Sequence, residues 1–274
     1  MTQLNDSIIF NEPSAVYHAS KAIGSGSIRA YLRSPRLFHD YQMGLRPAST
    51  DALCFGIASH TRLLEPELFA TTCAIKPDGL SFATKEGKAW REQQAGKQIV
   101  SFDDAKHLQH MHDRMPTEVR DIFASCKKEV TVRTVTDTGL SIQCRPDLWD
   151  IEGKRKFDLK TINAIEAIDG AIFKRSYHVQ VYWYSYIIGL VTGSRPKIDD
   201  LIFVEKQPPY RWRIVSLDYD YQCLALDQIG IALRGIAERT KSGVWSESDD
   251  ELRTVASPPD YATEYIDTTN TEEE

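Results

Sequence analysis

The sequence predicts a mixed α/β (α+β) chain in which a mixed central β-sheet is flanked by helices and preceded by a helical N-terminal portion. Three observations carry that expectation. Helix-like segments fill the chain from residue 14 to about 125. Period-two alternation then takes over in "KEVTVRTVT" (128–136), "LSIQCRPDLWDI" (140–151) and "KFDLKTI" (156–162), and a helix, two further strands and a closing helix follow. With 274 residues and 42% apolar content the chain can bury a sizeable core as one domain over 14–245, between an N-terminal extension (1–13) and a C-terminal tail (246–274).

In chain order, residues 14–43 read as helical, with "SGSIRAYLRSPRLFHDYQMG" offering a Ser-rich start, an apolar period and a Gly stop. "TDALCFGIASHTRLLEPELF" is a second helix ending near Pro66. "LSFATKEGKAWREQQAGK" is a polar loop running into a short helix, and "SFDDAKHLQHMHDRMPTEVRDIFAS" holds one or two more. A helix around 163–173 leads to "YHVQVYWYSYIIGLVTG", whose closing Gly marks another. "DDLIFVEKQ" and "YRWRIVSLD" flank a "PPY" turn as a second strand pair, and "YQCLALDQIGIALRGIAERTKSG" closes the body as an amphipathic helix.

The most informative stretch is "CRPDLWDIEGKRKFDLKT" (144–161). Glu-Gly supplies turn chemistry between two alternating arms, which is a β-hairpin signature. With Glu152 and Gly153 at the tip, cross-strand partners sum to 305, so Asp147 faces Asp158 with Cβ atoms roughly 4.5–5.5 Å apart. Like charges there repel. Lys160, two positions beyond Asp158, shares its face and offsets part of the repulsion. A divalent cation would offset the rest: carboxylates plus water suit Mg²⁺ or Mn²⁺, and a lysine beside them can orient an attacking water or help deprotonate it. The same three residues also read as ordinary solvated turn flanks, so their company decides between the readings.

Four residues supply that company. Gln180 and Tyr184 lie four apart on one helix face, where they could hold a phosphate or the attacking water, whereas Tyr182, Trp183 and Tyr186 read as core. His60 sits among small and apolar helix residues, as either a satisfied core histidine or a ligand. Glu129, at the head of the strand before the hairpin, is a further acid within reach of the cluster or a solvated strand end.

The formal charge of −6 disfavours a nucleic-acid partner only superficially. Residues 246–274 hold ten acids and one base, Arg253, which leaves the remaining body at about +3. That tail reads as disordered, and a weakly basic body is compatible with DNA. The five cysteines are scattered, without CxxC or Cys/His metal spacing, and read as reduced thiols. No segment reads as a membrane span, and "MTQLNDSIIF" lacks the basic and apolar regions of a secretory signal, so a cytoplasmic location is expected.

"GIASHTRLLEPELF", "TKEGKAWRE", "CRPDLWD", "FDLKT" and "YHVQVYWYS", in this order over about residues 15–240, resemble the RecE (exonuclease VIII) nuclease-domain family, a phage and prophage branch of the PD-(D/E)xK superfamily that includes lambda exonuclease. The resemblance places His60, Asp147, Asp158 and Lys160 on the family's histidine, two aspartates and lysine, and Gln180 and Tyr184 on its QxxxY motif. It implies a PD-(D/E)xK nuclease fold and a Mg²⁺-dependent 5′-to-3′ exonuclease, Mn²⁺ able to substitute, that leaves 3′ single-stranded tails for recombination. Asp147, Asp158, the Leu159 carbonyl and His60 would hold metal; Glu129, from its place on the preceding strand and not from the resemblance, is a further candidate ligand. The implied partners are double-stranded DNA ends, a single-strand annealing protein and further copies of the chain in a ring, a tetramer in this branch, within a bacterial host cell. Arg145, Lys174, Arg175, Arg211 and Arg213 are candidate DNA-backbone contacts. Four clustered cysteines are absent, so no iron-sulfur cluster is expected. Two other classes share these residues: a structure-specific endonuclease, and a non-catalytic DNA-end binder, against which the intact Asp147, Asp158 and Lys160 count.

Overall fold

A computed structural model gives the structure of the chain and describes residues 7–47 and 50–246; the acidic tail from 247 onward lies outside the described residues. The first strand, β1 (Ser7–Ile9), precedes helices α1 (Ser14–Ala19), α2 (Ser25–Arg33), α3 (Pro35–Gln42), α4 (Asp51–Leu64) and α5 (Pro66–Thr72). Next come β2 (Cys73–Ile75), α6 (Lys85–Gln93), β3 (Gln98–Val100), α7 (Phe102–Asp113) and α8 (Thr117–Ser125). The strand-rich centre is β4 (Lys127–Lys128), β5 (Thr131–Val135), β6 (Ser141–Cys144), β7 (Leu148–Asp150) and β8 (Arg155–Ile162). A 3₁₀ turn (Ile165–Ala167), α9 (Ile168–Lys174) and α10 (Tyr177–Thr192) lead to β9 (Ile198–Glu205), β10 (Trp212–Ser216) and α11 (Tyr219–Ser242).

Local chemistry sets these boundaries. Thr50, Thr84, Ser101 and Asp218 cap α4, α6, α7 and α11 by accepting a backbone N–H three residues on. Gly193 and Gly243 end α10 and α11 in the left-handed conformation. The stretch read as helical over 14–43 is three helices. Ile23 leaves the helical path to bond with β6, its N–H to Ser141 and its carbonyl to the Gln143 N–H. Ser34 is extended ahead of Pro35, which stops α2, and its hydroxyl caps α3 through Leu37.

The larger sheet runs β10-β9-β8-β7-β4, with β8 and β9 parallel and every other pair antiparallel. The crossover between the parallel strands is α9 and α10, as a parallel connection requires. A second sheet runs β1-β5-β6, so residues 7–9 of the N-terminal extension pair with the body. β2 and β3 form a short parallel pair that the sequence pattern does not announce. Helix α10 is buried almost all round: Val179, Trp183 and Ile187 pack with α2, α11 and the smaller sheet, and Val181 packs with Leu201 and Phe203 of β9. Helices α4, α7 and α8 cover the other side of the larger sheet through Leu108, Met111, Phe123, Phe157 and Ile202.

The hairpin has the expected register for Leu148 with Phe157, Trp149 with Lys156 and Asp150 with Arg155, but the ladder ends there, so Asp147 is not a ladder partner of Asp158 as expected. Its loop is Ile151–Lys154, longer than a two-residue tip. The Gly153 N–H donates to Asp150 Oδ1, and a Cβ at 153 would collide with that carboxylate. The expected strands 128–136 and 140–151 are each broken in two. Pro146 has no N–H to pair, and Glu129 takes a left-handed backbone with φ +52°. Both breaks fall at one level, where the Glu129 N–H donates to the Asp147 carbonyl, and the two sheets part there.

Candidate active site

The break opens a cavity of about 550 Å³. His60 comes from α4, Glu129 and Asp147 from the two broken strands, Leu159 and Lys160 from β8, and Gln180 and Tyr184 from α10. One ligand atom each of His60, Glu129 and Asp147 lies within 4.8 Å of the others.

Asp147 is the hub. Its Oδ2 accepts the Leu159 N–H at 2.7 Å and lies 3.5 Å from His60 Nδ1. Burial opposes the charged carboxylate, but His60, Lys160 and the Leu159 N–H outweigh it and hold Asp147 below its usual range. His60 mirrors this: burial alone would lower it, and the Asp147 carboxylate raises it instead. Glu129 is pushed up to about 7, first by burial and then by the negative charge of Asp147, against the pull of Arg145, whose Nε stands 2.7 Å from Glu129 Oε2.

Asp158 is fully buried and lies outside that three-residue cluster. Its Oδ2 accepts from Lys156 Nζ at 3.3 Å. Its Oδ1 accepts no hydrogen bond among the described residues and lies 3.8 Å from Lys160 Nζ. The sequence reading missed Lys156, which is buried between Asp158 and Asp199 of β9; the Ser185 hydroxyl donates to Asp199. Burial works against the lysine's charge, but the two carboxylates outweigh it and raise Lys156 above its ordinary value. The face shared by Lys156, Asp158 and Lys160 was visible as alternation; the distant partner Asp199 was not.

Gln180 Nε2 donates to the Tyr184 hydroxyl at 2.9 Å, so the pair meets as its spacing predicts. Burial pushes the Tyr184 phenol well up, which keeps it a neutral hydroxyl. Lys160 Nζ sits 5.3 Å from the Tyr177 ring centre, a cation–π contact that fixes the ammonium.

The family model that matches the chain covers residues 27–252 and is described as "PDDEXK-like domain of unknown function (DUF3799)". The chain belongs to this family. Its fold is that of the PD-(D/E)xK nucleases. A solved structure titled "Putative exonuclease", from Eubacterium rectale, superposes with a TM-score of 0.62 at 16% identity over 94% of this chain and 100% of the other. No curated protein matches the chain. Among the described residues no helix is long and apolar enough to cross a membrane.

Within this PDDEXK-like domain the five candidate DNA-contacting cations part company. Arg145 and Arg175 line the cavity, and so does Lys206, which the sequence reading did not single out. Lys174 and Arg213 are exposed and do not line it. Arg211 does not line it either: its guanidinium is engaged by Glu205 and Glu166 at 2.6–3.0 Å. Those bonds to Arg211 outweigh burial and hold the Glu205 carboxyl down to about 2, below the ordinary 4.5. A depressed carboxyl stabilises the fold above the unfolded value and loses that contribution as pH falls towards the folded one. Urea titrations from pH 7 to 2 should therefore show Glu205→Gln less stable by on the order of 2 kcal/mol at pH 7, with the gap closing below about pH 4.5. A gap constant with pH would remove the charge from the explanation.

Proposed function

We propose that the chain is a divalent-metal-dependent exonuclease that degrades one strand of duplex DNA from its 5′ end and leaves a 3′ single-stranded tail for recombination by strand annealing. The observation that carries this reading is the meeting of His60, Glu129 and Asp147 beside Lys160, in a chain of the PDDEXK-like family. Direction, duplex specificity and recombination come from the RecE-type motifs.

The donor set fits a hard divalent cation. Two carboxylates and an imidazole converge there, and a third carboxylate, beside Lys160, keeps a buried oxygen, Asp158 Oδ1, without a hydrogen bond among the described residues. Asp147, Asp158 and His60 would hold the cation, with Glu129 and the Leu159 carbonyl as further donors, and Mg²⁺ or Mn²⁺ suits oxygen-rich ligands. When bound, it would supply a lowered water pKa and charge compensation for the phosphoryl oxygens.

The protein's own groups do the positioning. Lys160 orients the attacking water against the scissile phosphorus and stabilises the charge that develops there. Gln180 and Tyr184, as neutral donors, fix a phosphate oxygen or the water. Arg145, Arg175 and Lys206 offset the strand's charge at the cavity. A toroidal tetramer acting with a single-strand annealing protein in a bacterial host cell completes the reading.

End-labelled linear duplex, with and without Mg²⁺ and with and without a 5′ phosphate, tests it. Mg²⁺-dependent loss of the 5′-labelled end, with closed circular duplex resistant, is the expected result. Cleavage of circular DNA would favour an endonuclease, and inertness on both would leave a non-catalytic binder. Lys160→Ala should cut turnover about a hundredfold or more, while calorimetric Mn²⁺ binding is retained or strengthened because a nearby positive charge is gone. If metal binding fell in step with activity, Lys160 would instead be holding the carboxylates in place.

A further inference from the structure

The family model begins at residue 27, yet the cavity has a wall built earlier in the chain. β1 pairs with β5 from Ser7 with Arg133 to Ile9 with Thr131. Buried Glu12 then anchors the segment, accepting from Arg133 at 2.7 and 2.9 Å and from the Thr131 hydroxyl at 2.9 Å. The Tyr17 carbonyl accepts from Gln143 Nε2. Thus fixed, α1 brings Ser14, Tyr17 and His18 to the cavity.

Tyr17 does something specific there. The Arg145 guanidinium lies 5.5 Å from the Tyr17 ring centre on one side and meets the Glu129 carboxylate on another. Its Nη1 is buried and makes no hydrogen bond among the described residues. A buried guanidinium donor without an acceptor is costly, and this one belongs to a cavity-lining residue. A phosphodiester oxygen supplies the acceptor that is missing, in the geometry for which guanidinium is suited.

We propose that the segment Ser7–Ala19 is a working wall of the active site, in which Tyr17 is the positioning residue that holds Arg145 towards a phosphate of the nucleic-acid strand. This rests on the nuclease reading for the class of substrate. It makes residues outside the matched family domain part of substrate capture. Arg145 touches the strand; Tyr17 acts through Arg145, by a contact that needs an aromatic face.

The test uses the full chain with Tyr17→Phe, Tyr17→Trp, Tyr17→Leu, Arg145→Gln and the Tyr17→Leu/Arg145→Gln pair. Fluorescence anisotropy of labelled duplex in EDTA reads binding without hydrolysis, and KM and kcat on linear duplex are measured alongside. Phe and Trp should bind like the parent, whereas Leu and Arg145→Gln each weaken binding and raise KM about fivefold to tenfold. The pair should lose no more than Arg145→Gln alone, because Tyr17 acts only through that guanidinium. Leu binding as well as Phe would overturn the proposal, as would additive losses in the pair. If the parent binds duplex without cutting it, the nuclease reading fails and the aromatic series still decides this proposal. If the parent does not bind nucleic acid, the proposal falls too. Melting temperatures accompany every variant; should Leu unfold, the Phe and Trp variants against Arg145→Gln carry the comparison, and Phe or Trp binding as weakly as Arg145→Gln would overturn it.

Discussion

Asp147→Asn is expected to lower cleavage of linear duplex about a hundredfold or more, while binding of duplex in EDTA stays within about twofold of the parent. The amide keeps an oxygen that can accept the Leu159 N–H, so the local backbone has little reason to move. It loses the charge that faces His60 at 3.5 Å and joins Glu129 in the ligand cluster. A second readout separates the site from the reaction: added Mn²⁺ should raise the parent's melting temperature, since a ligand that binds only the folded state stabilises it, and should leave the variant's unchanged. An Asn variant that cuts at the parent's rate would remove Asp147 from the chemistry. One that stops cutting yet keeps the full Mn²⁺ shift would move the metal elsewhere.

The largest loss of stability is expected at Lys156. Its ammonium is fully buried between Asp158 and Asp199, and Lys160, 3.8 Å from Asp158 Oδ1, is a more distant second cation at the Asp158 carboxylate. Removing one partner of a buried ion pair strands the others, at a cost of about 3–5 kcal/mol. Lys156→Met, similar in length and apolar, should therefore lower the urea midpoint sharply at unchanged slope. In an Asp199→Asn background the same substitution should cost less, because one stranded charge has already gone. A loss below about 1 kcal/mol would mean that water or relaxation reaches this pocket and that Asp158 does not depend on the lysine for its place.

Much of this site was legible in the sequence for a local reason. A register centred on Glu152-Gly153 holds for Leu148 to Asp150 through a four-residue loop, and Asp147, just beyond the ladder, reaches Asp158-Leu159-Lys160 by accepting the Leu159 N–H. The four-residue spacing of Gln180 and Tyr184 likewise needs only helix geometry. What escaped is of two kinds. The breaks at Glu129 and Pro146 interrupt patterns that still alternate through them, and although Pro146 was a visible warning, Glu129's left-handed backbone leaves no trace in side-chain type. Long-range pairing is the other kind. Asp199 meets Lys156 through a parallel register set by a crossover of more than thirty residues, Tyr17 meets Arg145 through a strand in another sheet, and Arg211 finds Glu166 across a connection. Side-chain spacing carries no information about such meetings.

The position of β8 has a further consequence. On one side it is paired with β9 along its whole length, but on the other β7 accompanies it only as far as Phe157. From Asp158 onward the middle strand of the sheet is therefore an edge, and the Leu159 N–H that a neighbouring strand would have taken is answered by a carboxylate instead. Each ladder bond left unmade forgoes something near 1 kcal/mol, so a more regular sheet would be a steadier protein and a sealed one. The cavity is a notch cut into the interior of a sheet, kept open by a residue with no N–H to offer and another with its backbone turned the wrong way. Stability and access are here competing uses of the same few backbone groups.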